Sequence, residues 1–137
     1  MKIDTVQIDH VGIAVRSLDD ALATYKQLWN LEPDHIERGE TDKVTEAMLP
    51  IGDTHLQLLE ATDDESTIAK FIARRGEGLH HIAIRVGDIE HALAALAAEG
   101  AELIDTEPRI GGGGHRVAFV HPKTTHGVLI ELVEHVG

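Results

Sequence analysis

Two stretches of the chain alternate apolar and polar residues and are near copies of one another. Ile8-Asp9-His10-Val11-Gly12-Ile13-Ala14-Val15 and Leu79-His80-His81-Ile82-Ala83-Ile84-Arg85-Val86 both read as half-buried strands. His81 follows His10 by 71 residues, and the same offset carries Leu18 onto Ile89, Asp19 onto Glu90, Ala21 onto Ala92 and Leu22 onto Leu93. The chain is therefore an internal repeat, and the two histidines hold one position in two modules.

After each strand the period lengthens to that of a helix. Ser17 can cap the first helix, with Asp20 three residues on, and Leu18, Ala21, Leu22, Tyr25 and Leu28 supply its apolar face. Asp88 can cap the second, with Ile89, Ala92, Leu93 and Leu96 inward and Gly100 as its stop. Three short strands are predicted after each helix. They lie near Asp34–Arg38, Val44–Leu49 and His55–Glu60 in the first half, and near Glu102–Asp105, Val117–Val120 and Val128–Val133 in the second. Between the halves, Ser66 caps a third helix with Ile68, Phe71 and Ile72 on its apolar face and Gly76 at its end. The pattern predicts one domain over 1–137, with βαβββ modules at 5–62 and 78–136 and a linker helix in 63–77. Neither module can bury both faces of its sheet alone, so the two pair into a curved mixed sheet of α+β class.

The last strands of the halves also match. Leu56-Gln57-Leu58-Leu59-Glu60 aligns with Ile130-Glu131-Leu132-Val133-Glu134, placing Gln57 with Glu131. One face of the first strand reads Gln57, Leu59 and the other Leu56, Leu58, Glu60. A polar side chain among apolar ones needs a partner. His10, His81, Gln57 and Glu131 make a set of two nitrogens and two oxygens. That set suits one borderline divalent ion shared by the modules, such as Co²⁺, Mn²⁺, Zn²⁺ or Ni²⁺. His80 alternates with His81 and should face away from it, His91 lies on a helix where Asp20 sits in the other half, and His35, His55 and His135 lack repeat support; all five are assigned to ordinary structural or solvated roles.

Composition narrows the function classes. The net charge of −12 disfavours nucleic acid and anionic membrane, and no apolar run approaches the ~20 residues of a membrane span. With no cysteine, disulfides and thiolate ligands are excluded. No secretory segment opens the chain, and a cytoplasmic protein is expected. An anionic ligand would need a local basic patch. Candidate ligand contacts are Lys70, Arg116 and Lys123, and the run Gly111–Gly114, in which Gly113 and Gly114 would allow close backbone approach.

The modules resemble the vicinal oxygen chelate superfamily, which has the glyoxalase-like fold. Within it they are most similar to the methylmalonyl-CoA epimerases. The resemblance covers nearly the whole chain. It rests on the opening strand, on Glu65-Ser66-Thr67-Ile68-Ala69-Lys70-Phe71 and Gly78-Leu79-His80-His81-Ile82-Ala83, and most specifically on His121-Pro122-Lys123 leading into Gly127-Val128-Leu129-Ile130-Glu131-Leu132. It implies an acyl-CoA substrate, a homodimer and metal ligands at His10, Gln57, His81 and Glu131. It also implies metal-assisted proton transfer at C2 through an enolate, with Glu46 and Glu131 as the acid/base pair. Glu46 has a second argument: aligning Pro50 with Pro122 sets it opposite Ala118, so the repeat breaks at this carboxylate. A glyoxalase I-like lyase and a metal-free ligand-sequestering protein are the alternatives on the same fold.

Overall fold

The computed structural model describes residues 2–137. The elements are β1 (Thr5–Ala14), α1 (Leu18–Trp29), β2 (His35–Gly39), β3 (Val44–Ile51), β4 (Thr54–Ala61), α2 (Thr67–Arg75), β5 (Gly78–Val86), α3 (Ile89–Ala98), β6 (Arg109–Ile110), β7 (Arg116–Val120) and β8 (Ile130–Glu134). Each half is βαβββ, with its four strands in a mixed sheet. The hydrogen-bonded order is β2-β3-β4-β1 in the first half and β5-β8-β7-β6 in the second. In each half the first and last strands pair in parallel and the remaining pairs are antiparallel. No described helix is long and apolar enough to cross a membrane.

Contacts divide the chain into two compact units. One is His10–His80; the other joins the residues through Asp9 to His81–Gly137. Strands β1 and β5 pass from one unit to the other, each at a repeat-matched histidine.

In the His10–His80 unit, Ser17 is extended and its Oγ accepts the Asp20 N–H at 3.1 Å, which starts α1. Leu18, Ala21, Leu22 and Tyr25 pack on Val15, Ala47, Leu49 and Leu58. Leu28, expected on this face, is 63 % exposed. The left-handed turn at Asn30 (φ 56) reverses the chain, and Leu31 packs on the cluster in its place. Helix α2 starts at Ser66, whose Oγ accepts from Ile68 N–H, and lays Ile68 and Phe71 on Ala14, Val44 and Leu59. Thus α1 covers the Leu58 face of β4 and α2 covers the Leu59 face, as period-2 alternation requires.

In the other unit, Asp88 Oδ1 accepts the His91 N–H and caps α3. Ile89, Ala92 and Leu93 pack on Val86, Ala118, Val120 and Leu132. The strand expected at Glu102–Asp105 is absent. Leu103 forms only an isolated bridge to Val120. Phe119 C=O accepts N–H groups from both Ile104 and Asp105, while Asp105 Oδ2 accepts the Phe119 N–H. The aspartate side chain completes the pairing that a ladder would have continued. The outer strand is instead the two-residue β6.

A repeat-matched device holds each helix to its sheet. Glu60 Oε1 accepts the Leu18 N–H at 2.6 Å, and Glu134 Oε1 accepts the Ile89 N–H at 2.9 Å. Both acceptors face the positive end of a helix, where the first N–H groups lack intrahelical partners. We expect Glu60→Ala to cost about 1–3 kcal/mol, because the part-buried Leu18 N–H loses a charged acceptor. A thermal denaturation midpoint equal to that of the unsubstituted protein would contradict this anchoring role.

Candidate metal centre

The registers place two equivalent pairs. On β1 and β4, Gly12 sits opposite Gln57; on β5 and β8, Ala83 sits opposite Glu131. His10 and His81 each lie two residues before those partners' strand positions, and so share a face with them. All four side chains are buried, with His10 at 5 %, Gln57 at 8 %, His81 at 6 % and Glu131 at 8 % exposure. Hydrophobic strands that bury four polar groups at matching positions need chemistry to satisfy them.

In one unit, His81 Nε2 lies 3.1 Å from Glu131 Oε1, and the imidazole meets Phe119 edge-on at 5.6 Å between ring centroids. Phe119 is paired with Glu131 across the β7/β8 ladder. The aromatic edge and the carboxylate together fix the imidazole's orientation.

In the other unit, Gln57 Nε2 donates to Glu46 Oε2 at 3.4 Å. The amide oxygen then points away from Glu46, and it is buried without a hydrogen-bond partner among the described residues. A buried acceptor left in this state costs about 1–3 kcal/mol unless something binds it. An amide oxygen offers lone pairs and no proton, so it can serve as a ligand to a cation. The donor chemistry agrees: in the unit of His81 and Glu131 an imidazole and a carboxylate lie together and buried, and that pairing suits a borderline divalent ion.

Glu46 lies on β3 opposite Leu59, so it shares the Gln57 face of the sheet. Burial pushes its carboxyl pKa up. The Gln57 hydrogen bond opposes that, Glu37 adds to it, and His10 and His35 oppose it. A carboxylate with a raised pKa is a stronger base than one in water. The repeat break at this position is real but one residue off. Glu46 pairs with Leu59, and the matching pair in the second half is Val117 with Val133 rather than Ala118 with Leu132. The offset on this strand is the same as that between His10 and His81. Pro50 and Pro122 are therefore not structural equivalents, since β7 ends at Val120 and Pro122 already lies in a turn.

The expected ligand contacts lie on different elements. Lys70 is exposed on α2. Gly113 and Gly114 lie in a 3-10 turn between β6 and β7, with φ of 72° and 77°, where glycine is favoured. Lys123 is exposed in the turn before β8, its N–H donating to His121 Nδ1. Arg116 is committed to carboxylates, at 2.6 Å from Glu90 and 3.5 Å from Glu134, and ties α3 to β8. The other histidines have local roles. His35 meets Glu37, His55 meets Asp34, His135 meets Asp9, His91 Nε2 bonds the Lys2 carbonyl, and His80 stacks edge-on against Phe71.

Glu60 and Glu134 are site-supporting residues that pattern reading passed over. They sit three residues after Gln57 and Glu131, on the opposite sheet face. The alignment that pairs Gln57 with Glu131 also pairs these two, so the signal was present.

Residues 9–119 match the family model of the Glyoxalase/Bleomycin resistance protein/Dioxygenase superfamily, and the chain belongs to that superfamily. Within it, the chain is homologous to the methylmalonyl-CoA epimerases. A solved methylmalonyl-CoA epimerase in complex with methylmalonyl-CoA and NH4+ is 40% identical, with a TM-score of 0.94 over 98% of this chain and 97% of that one. A variant methylmalonyl-CoA epimerase of Streptomyces coelicolor, in complex with 2-nitronate-propionyl-CoA, is 39% identical with a TM-score of 0.94, covering 99% and 97% of the two chains. The ethylmalonyl-CoA/methylmalonyl-CoA epimerase of Cereibacter sphaeroides is 34% identical over 128 residues, or 92% of this chain and 96% of that protein.

Proposed function

We propose that this chain is an epimerase that interconverts (R)- and (S)-methylmalonyl-CoA by moving the proton at C2. The observation that carries the reading is the orphaned Gln57 Oε1 beside Glu46, a metal-seeking acceptor next to a base of raised pKa. The near-complete likeness to solved methylmalonyl-CoA epimerases supplies the substrate class.

Inversion at C2 requires a proton to leave one face and another to arrive on the opposite face. We assign Glu46 as the group that takes or gives the proton on one side. Gln57 holds one of its oxygens by the amide N–H, leaving the other oxygen for the proton. Glu131 is assigned to the opposite face as well as to the metal set. His10, Gln57, His81 and Glu131 would hold a divalent ion, Co²⁺ in our reading, which when bound polarises the thioester oxygen and so acidifies C2. The burial of those side chains keeps water from competing at the centre.

Gly113 and Gly114 are assigned to close approach by the acyl carboxylate, and Lys123 and Lys70 to anionic parts of the ligand. Arg116, held by two carboxylates, is assigned to the fold. We further propose that the enzyme is a cytoplasmic homodimer.

The test is deuterium uptake at C2 of methylmalonyl-CoA in heavy water, with and without chelator. Uptake is expected with metal, lost after chelation and restored by Co²⁺. A metal-loaded protein that exchanges no C2 hydrogen, or that instead turns over the methylglyoxal-glutathione hemithioacetal, would overturn the assignment.

A further inference from the structure

The charge map contains a local inversion. The chain has twice as many acidic as basic residues, 24 against 12. Accordingly Arg16, Lys26, Arg38, Lys43, Arg85, Arg109 and Arg116 all have carboxylate partners. Helix α2, Thr67–Arg75, departs from this. It carries Lys70, Arg74 and Arg75 with no acidic residue among its own nine, and none of the three has a carboxylate partner among the described residues; Lys2 and Lys123 also lack one but stand singly, so α2 is where such cations gather. Arg74 and Arg75 suit the negative end of the helix dipole, but that effect reaches only the last turn and does not explain Lys70.

The placement of α2 gives the cations a use. Ile68 and Phe71 fix the helix on Ala14, Val44 and Leu59. Leu59 is two residues from Gln57 on β4 and directly opposite Glu46 on β3. The helix therefore lies on the sheet face that bears the base, immediately beside it. Lys70 and Arg74, four residues apart, share the outward side of the helix, and Arg75 is placed by its guanidinium lying 5.9 Å from the Phe71 ring centroid.

We propose that Lys70, Arg74 and Arg75 bind the nucleotide phosphates of a coenzyme A thioester whose acyl end lies at Glu46. This rests on the acyl-CoA reading above. A strongly acidic protein repels a polyanionic ligand unless cations are gathered where the phosphates dock. Guanidinium and ammonium groups without carboxylate partners can meet phosphate oxygens without first breaking an ion pair.

The test compares methylmalonyl-CoA with methylmalonyl-pantetheine, which lacks the nucleotide, on the unsubstituted protein and on Lys70→Ala/Arg74→Ala/Arg75→Ala. The ratio of kcat/KM for the CoA ester to that for the pantetheine ester is expected to fall about tenfold or more, through KM. An unchanged ratio, whether neither ester is affected or both fall equally, overturns the proposal. Calorimetric titration with coenzyme A itself gives a readout independent of turnover. Affinity should be lost in the triple variant and should fall steeply with salt only in the unsubstituted protein; equal affinity overturns the proposal. Failure of the epimerase reading looks different, since the unsubstituted protein would then turn over neither thioester while coenzyme A binding still reports on α2.

Discussion

Replacing Glu46 with glutamine is expected to slow hydrogen exchange at C2 of methylmalonyl-CoA by about 10²–10⁴-fold, while metal content stays that of the unsubstituted protein. The amide keeps the size of the side chain and an oxygen to accept from Gln57 Nε2, but cannot take a proton. Gln57 Oε1, the acceptor assigned to the metal, is not the atom that faces Glu46, so the metal set should survive. Measuring exchange by mass spectrometry and metal by elemental analysis on the same sample separates the two effects. Full exchange by the variant would remove Glu46 from the mechanism, and loss of metal would mean that it supports the centre rather than the proton.

His81→Ala should lose metal and activity together, and added Co²⁺ should restore neither. The imidazole is one of two nitrogen donors in the proposed set, and it is also the neighbour of Glu131 at 3.1 Å. Its removal deletes a ligand, frees Glu131 to reorient and takes away the ring that packs edge-on against Phe119. In the metal-free state the change should cost about 1–3 kcal/mol, because a buried carboxylate loses a hydrogen-bonding neighbour. Circular dichroism checks that the variant is folded. A folded, metal-free variant that still epimerises would end the ligand assignment for His81.

The internal repeat made most of the architecture legible. Because a strand shows its faces every second residue and a helix every three to four, the alternation around His10 and His81 and the caps at Ser17, Ser66 and Asp88 marked both modules before any tertiary contact was known. The reading failed where a single side chain replaced a regular pattern. Asp105 turned the expected strand Glu102–Asp105 into one bridge by bonding the Phe119 backbone. Leu28 stayed in solvent, and Leu31, beyond the left-handed turn at Asn30, packed on the cluster instead. The one-residue error in matching Glu46 came from trusting two prolines that sit in unlike surroundings.

Residue type and spacing alone determined that His10 and His81, and Gln57 and Glu131, are equivalent pairs, since repeat offsets are a property of the chain. Only the tertiary structure decided that the Gln57 amide oxygen is orphaned, that burial raises the Glu46 pKa, that Glu60 and Glu134 anchor the helices, and that Arg116 is occupied while the α2 cations have no carboxylate partner. Those facts depend on which polar groups burial brings within bonding distance, and strand register and helix packing set such distances between residues far apart in the chain.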